Sequence, residues 1–406
     1  MIRLEKNTTP DSIVEIELPA SKSISNRALI IQHLANVDIK IENLSAADDT
    51  VHLNRALQKG GDEFWMGDAG TAARFSIAYA AVKAGKRIIR GSERLSQRPM
   101  KPLIDALRNL GANLVCLEKE GYLPVESIGE ELKGGVVEIE ASVSSQFISA
   151  LMLIGPQLTK GLTVKFQGEP TSLPYLTITQ KVMEMCGAEV RISKDSIVVE
   201  PKKYVNATIK VEPDWSAASY FFSAVAVNPD LKVLLKGLTS PSIQGDANLV
   251  ELYKPLGVKP TFNQAGLLLE HSGEVNPHFK INLQDNPDLA QTIAATYAGL
   301  GCEVLLTGLH TLKVKETDRL SAMVNELSTL GVKAEATHDS LFVKAGNQLT
   351  LDQTILTYGD HRMAMAFAPL VFKTHVSLEN PAVVAKSFPD FFAEFSKLGV
   401  VTKTNV

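Results

Sequence analysis

Long apolar runs, each opening on a short polar stretch, recur along the chain: SISNRALIIQHLA, GTAARFSIAYAAVKAG, SSQFISALMLIG, DWSAASYFFSAVAV, DLAQTIAATYAGLG and DHRMAMAFAPLVF. Each starts near a Ser, Thr or Asp able to cap a helix and continues rich in Ala and Leu, which predicts six helices buried almost all round. After each run comes a β-like stretch ending at Gly or Asn: IKIENL, KRIIRG, LTVKFQG, LKVLLKG, CEVLLTG and HVSLEN. A polar loop, an amphipathic helix, a Gly stop and another strand follow, as in DALRNLGANLVC and ELSTLGVKAEA, with RALQKGGDEFW the least regular copy. The order predicts six α/β units at a spacing of about 70 residues, three to a domain of roughly 200 residues. An ordinary doubly wound α/β sheet would alternate in the same way but says nothing about where charges fall.

The charges fall at corresponding places. Helix starts carry Lys22, Ser23 and Arg27, then Asp68 and Arg74, then Ser144, Ser145 and Gln146, then Asp288, then Asp360, His361 and Arg362. Loops entering second helices carry Arg98, then Ser172 and Tyr175, then Lys315, Glu316 and Arg319, then Lys386. A helix N-terminus presents unpaired N–H groups and the positive end of its dipole, so cations there work against the local field and anions complete it. Cations about 5 Å apart at an effective dielectric near 20 repel by roughly 3 kcal/mol per pair. Such a rim calls for a ligand of several negative charges or for interleaved carboxylates. Taken singly, VKETDRL also reads as an exposed helix start with local ion pairs, SSQ as a plain cap and His361 as a structural residue.

Composition narrows the chemistry. With 406 residues, 45% of them hydrophobic, two cores are expected, and a net charge of −4 gives no global basic field for nucleic acid. Three scattered cysteines, Cys116, Cys186 and Cys302, suggest neither a disulfide framework nor a metal knuckle. No signal-peptide hydrophobic region and no membrane-length apolar run is visible, so a soluble, cytoplasmic protein is expected. GGDEF at Gly60 to Phe64 spells a diguanylate cyclase signature, but it follows a helix end, where Gly reads as a stop. Phosphate-binding Gly loops, zinc or calcium spacings and a Gly-x-Ser-x-Gly elbow are missing.

PASKSISNRALI, GDAGTAARF, SQRPM, SSQF, PTSLPY, NPDLAQTIA, VKETDRL, GDHRMAMAFAP and KSFPDFF, in this order, resemble the 5-enolpyruvylshikimate-3-phosphate (EPSP) synthase family from about residue 19 to 392. The resemblance implies the enolpyruvyl transferase fold, an inside-out α/β barrel of two similar domains, each of three repeated α/β units with helices inside. It places one domain at 20–212, on the shikimate 3-phosphate side, and the other at 1–19 with 213–406, joined by two crossover segments and closing over the substrates. The implied reaction moves the enolpyruvyl group of phosphoenolpyruvate to the 5-hydroxyl of shikimate 3-phosphate and releases phosphate. No cofactor or metal is implied, the partners are these two small molecules, and a monomer is expected.

Carried over by position, Ser23, Arg27, Ser144, Ser145, Ser172 and Lys315 would hold shikimate 3-phosphate, with Gln146 and Tyr175 lining its site. Lys22, Arg98, Arg319, Arg362 and Lys386 would clamp phosphoenolpyruvate, where Arg forks pair with carboxylate or phosphate. Gly70 would bring backbone close to the phosphoenolpyruvate phosphate. Asp288 would accept the hydroxyl proton and Glu316 would protonate the methylene, with Lys22 and His361 as shuttle members ranked below them. Asp68 stands where many members have Asn, Phe75 where many have Pro, and Thr311 where some have an Asn that contacts the shikimate part. These departures leave affinity and the response to glyphosate open. The rival readings are the sister enzyme acting on UDP-N-acetylglucosamine, which looks for a loop cysteine not found here, and a noncatalytic phosphometabolite-binding protein.

Overall fold

A computed structural model of the chain describes residues 1–140, 144–168, 171–346 and 349–404. The six apolar runs form the helices Lys22–Leu34, Gly70–Val82, Ser145–Ile154, Trp215–Val227, Ala290–Leu300 and His361–Phe367. They are buried nearly all round; in Trp215–Val227 only Ser216 keeps appreciable surface. Each large side chain so buried, such as Trp215, Phe221 and Phe222, contributes about 1.5–3 kcal/mol. Some of the polar groups inside are hydrogen-bonded between helices. Thr296 donates to Ser223 at 2.7 Å, and in the other half of the chain Thr179 donates to Ser149 at 2.8 Å.

Side-chain caps are fewer than the sequence promises. Asp214 accepts from Ala217 N at 3.0 Å, Ser144 from Gln146 N at 3.3 Å and Asp360 from Arg362 N at 2.9 Å. Ser21 makes no such bond before Lys22, Ala69 has none to offer before Gly70, and a 3-10 turn, Pro287–Leu289, leads into Ala290–Leu300. At those starts the first-turn N–H groups are not spent on a capping side chain.

Short sheets cover the helices. Among the described residues five sheets have four strands and one has two. In the sheet of Glu63–Trp65, Gly85–Arg90, Val125–Gly129 and Asn113–Cys116, the first pair is parallel and the others antiparallel. Outer faces alternate with buried ones, as in Gly135–Glu140, where Val137 and Ile139 point inward. The two-stranded exception pairs Ile39–Glu42 with Ala207–Lys210 in parallel. Its missing hairpin explains the irregular copy in the sequence. After the helix Asp48–Lys59 the chain passes Gly60, which stops the helix in the left-handed conformation (φ 62°), and enters Glu63–Trp65, a strand of the next sheet. GGDEF is thus a helix stop and a strand, not a hairpin.

The chain packs as two compact units, 20–212 and 1–19 with 213–406. Strand pairing shows how the chain changes unit. Val14–Ile16 pairs with Val233–Lys236 of its own unit before the chain runs on into Lys22–Leu34. Ala207–Lys210 likewise pairs with Ile39–Glu42 before the chain enters Trp215–Val227. No helix of the described residues is long and apolar enough to cross a membrane.

Candidate active site

Within 213–406 the focus is Arg319, the first residue of the helix Arg319–Thr329, 1% exposed. Its Nε donates to Asp360 Oδ2 at 2.7 Å, Nη1 to Asp288 Oδ1 at 2.8 Å and Nη2 to Glu316 Oε2 at 2.9 Å. A planar fork with five donors makes four hydrogen bonds to three carboxylates, one more than the three donors of a Lys could supply. Around it Lys315 Nζ lies 3.5 Å from Asp288 Oδ1, Arg362 Nη2 donates to Asp288 Oδ2 at 3.1 Å, and Lys386 Nζ lies 3.2 Å from Glu316 Oε1. Four cations face three carboxylates in these contacts, and the buried Asp246 lies close enough to interact with Asp288 and Arg362.

The proton affinities follow from this packing. Burial alone would raise the Asp288 carboxyl, and Arg362, Lys315 and Arg319 overcome it, holding the group well below the usual carboxylate range while Glu316 opposes them. Burial also works to lower the Arg319 guanidinium, but Asp360, Glu316 and Asp288 hold it above its ordinary value. Asp288 and Glu316 each keep 14% of their side chains open to solvent, so both remain reachable by a substrate. His361 is buried, with Nδ1 3.5 Å from Asp360 Oδ1. Thr311 is buried in the turn His310–Val314, and its hydroxyl makes no hydrogen bond among the described residues.

Within 20–212 a second set of cations is built on helices. Arg27 is 1% exposed and donates to Thr179 Oγ1 at 2.7 Å, Ser23 O at 2.8 Å, Tyr175 O at 3.1 Å and Ser149 Oγ at 3.2 Å. Its guanidinium sits 5.3 Å from the centroid of the Phe75 ring. Burial pushes it down to about 10, and no carboxylate among the described residues pairs with it. Such a cation suits an anionic ligand. Tyr175 is held by its own N–H bond to Ser172 O at 3.0 Å, and Ser172 takes the left-handed conformation (φ 57°).

Two further guanidinium groups rest against Gly70. A Cβ there would meet Arg98 Nη1 at 2.6 Å and Arg74 Nη1 at 2.7 Å, so the close approach requires glycine. Arg74 donates to Gln146 Oε1 at 2.8 Å and lies over the Phe147 ring at 4.9 Å, and Ser144 and Ser145 begin the helix that carries Gln146. Lys22 Nζ pairs with Asp49 Oδ2 at 2.9 Å. Asp68 accepts a short hydrogen bond from Ser92 Oγ.

The expected residues therefore divide between the units. Lys22, Ser23, Arg27, Gly70, Arg98, Ser144, Ser145, Gln146, Ser172 and Tyr175 lie in 20–212, and Asp288, Thr311, Lys315, Glu316, Arg319, His361, Arg362 and Lys386 in 213–406. Asp288, Lys315, Glu316, Arg319, Arg362 and Lys386 form one bonded cluster; no described contact ties Thr311 to it. Sequence reasoning placed Asp360 and Arg74 on the rim of charges without giving either a role in the reaction, and passed over Asp49. Asp360 alone carried a local sign, its place as the cap before Arg362.

Helices inside and sheets outside in each unit, with buried cations interleaved with carboxylates, define a two-unit α/β protein with side chains suited to small anionic ligands. A profile described as EPSP synthase (3-phosphoshikimate 1-carboxyvinyltransferase) matches residues 55–395. The 3-phosphoshikimate 1-carboxyvinyltransferase of Bacteroides fragilis (strain YCH46) is 41% identical over 388 residues, 95% of either chain. That of Haemophilus influenzae (strain ATCC 51907 / DSM 11121 / KW20 / Rd) is 35% identical, covering 97% of this chain and 99% of its own. Among solved structures, EPSP synthase from Acinetobacter baumannii superposes with a TM-score of 0.80 at 20% identity over 100% of both chains. The enolpyruvyl transferase NikO from Streptomyces tendae gives 0.77 at 14% identity, covering 99% of this chain and 98% of its own. This is the enolpyruvyl transferase fold. The chain belongs to the EPSP synthase family.

Proposed function

We propose that this chain is a 3-phosphoshikimate 1-carboxyvinyltransferase, transferring the enolpyruvyl group of phosphoenolpyruvate to the 5-hydroxyl of shikimate 3-phosphate with release of phosphate. The reaction serves the shikimate pathway to aromatic amino acids. The carrying observation is Arg319 bound to Asp288, Glu316 and Asp360 while Lys315, Arg362 and Lys386 face the same carboxylates.

In this reading Arg319, Arg362, Lys386, Arg98 and Lys22 bind phosphoenolpyruvate, with Gly70 admitting its phosphate. Ser23, Arg27, Ser144, Ser145, Gln146, Ser172, Tyr175, Thr311 and Lys315 bind shikimate 3-phosphate. Addition comes first. The 5-hydroxyl oxygen bonds to C2 of phosphoenolpyruvate as Asp288 takes the hydroxyl proton, and C3 takes a proton from Glu316, which has to take one up from solvent before this step, giving a tetrahedral adduct. Elimination then breaks the bond between C2 and the phosphate oxygen, a C3 proton returns to a base, and phosphate leaves. Lys22 and His361 are further candidates for relaying protons.

The cations that hold Asp288 at low proton affinity make it a weak base in the free protein. Anionic substrates offset those cations, so binding itself raises the basicity of Asp288 and ties proton transfer to occupancy. The test is phosphate release from phosphoenolpyruvate with and without shikimate 3-phosphate. Release should require both, and Asp288→Asn should lower kcat by about 10²- to 10⁴-fold with little change in KM. Release with UDP-N-acetylglucosamine in place of shikimate 3-phosphate would assign the sister activity instead.

A further inference from the structure

The chain reaches Asp360, His361 and Arg362 through an unusual turn. Tyr358 (φ 54°) and Gly359 (φ 68°) are consecutive left-handed residues. Glycine adopts that conformation without penalty, whereas a bulky L residue such as Tyr358 does so only when its surroundings hold it there.

Glu326 supplies the hold. Tyr358 Oη donates to Glu326 Oε1 at 2.7 Å, and Leu356 N donates to Glu326 Oε2 at 3.0 Å. Asn325 Nδ2 adds a longer bond to Tyr358 Oη at 3.4 Å. Glu326 is 2% exposed and pairs with no cation among the described residues, so its charge depends on these neutral donors. Nothing in the proposed chemistry uses it.

Glu326 and Arg319 belong to the same helix, Arg319–Thr329, seven residues or two turns apart and so on one face. That helix grips the turn at both ends: Glu326 holds residues 356 and 358, and Arg319 holds Asp360 through bonds of 2.7 and 3.3 Å. Asp360 in turn caps the helix that carries Arg362 by accepting from Arg362 N.

We propose that the Glu326–Tyr358 hydrogen bond is a positioning latch that sets Asp360 and Arg362 for phosphoenolpyruvate. Glu326 and Tyr358 are positioning residues and neither touches substrate. The inference rests on the reading of Arg362 as a phosphoenolpyruvate ligand.

Tyr358→Phe and Glu326→Leu are measured by kinetics and thermal denaturation. The KM for phosphoenolpyruvate should rise about tenfold, the fold-change equivalent to one hydrogen bond to a charged acceptor, with the KM for shikimate 3-phosphate within about twofold of wild type. The double variant should be no worse than the poorer single one, as expected when both changes break one bond. Lower melting temperatures with an unchanged phosphoenolpyruvate KM, or equal changes in both KM values, would overturn the latch. If the wild type does not turn over the two substrates, the functional reading fails. The latch is then judged by a crystal structure of Tyr358→Phe, where residues 356–362 superposing on wild type would refute it and a displaced Arg362 would support it.

Discussion

Arg319 bonds three carboxylates at 2.7, 2.8 and 2.9 Å while almost wholly buried, and the charges it gathers depend on one another. Breaking such a buried set by removing one member costs about 3–5 kcal/mol, because the remaining charges are left uncompensated. Arg319→Met should therefore destabilise the chain by that order as well as abolish turnover, which urea unfolding and the phosphate assay would register separately. Asp288 makes a pH-dependent claim. Its carboxyl is held below the ordinary value, so its contribution to stability is complete above the unfolded value near ~4 and is lost as the pH falls through the folded one. The stability gap between wild type and Asp288→Asn should be flat above about pH 5 and close below about pH 4. Urea midpoints measured across that range would contradict the assignment if the gap widened in acid.

At the scale of the element, helix starts do two jobs here, and Gly70–Val82 shows the conflict. Its first residue must end a turn, begin a helix and leave room for Arg98 and Arg74. The three atoms that a Cβ at Gly70 would meet most closely all belong to the ends of the Arg98 and Arg74 side chains, so Gly70→Ala should fold normally. Its KM for phosphoenolpyruvate should nevertheless rise by roughly 10- to 100-fold, because a shift of about 1 Å in a binding group is costly. A normal melting temperature with an unchanged KM would remove Arg98 from the substrate site.

The same elements show what a sequence discloses. The apolar helices and the Gly stops of the amphipathic helices are local patterns, so both could be read directly, and the rim of charges followed from the helix starts and the loops that enter helices. Contacts such as Arg27 with Thr179, 152 residues away, or Lys22 with Asp49 on another helix, depend on packing that no periodicity encodes. Glu326 is the sharpest case. On its amphipathic helix it reads as a solvated residue, and only tertiary contact makes it a buried acceptor.

For the molecule as a whole, six copies of one unit should differ in stability, because among the described residues one sheet has two strands and the other five have four. Ile39–Glu42 has a partner on one side only, Ala207–Lys210, and the Gln32 amide donates to Ile39 O at 2.7 Å. Its partner strand closes a loop of most of the unit, so this pairing is also the longest-range one in 20–212. Two-stranded sheets are marginal by themselves, and this one relies on Ile39 and Ile209, both buried. The four-stranded sheet containing Gly135–Glu140 and Leu162–Gln167 in the same unit has no such weakness. Amides of 39–42 and 207–210 should therefore exchange with deuterium at least about tenfold faster than those of 162–167, through local opening rather than global unfolding. Peptide-level mass spectrometry under native conditions resolves the two. Equal protection would mean that the helices, not the strands, set the stability of the truncated copy, and the loss of its hairpin would then carry no thermodynamic consequence.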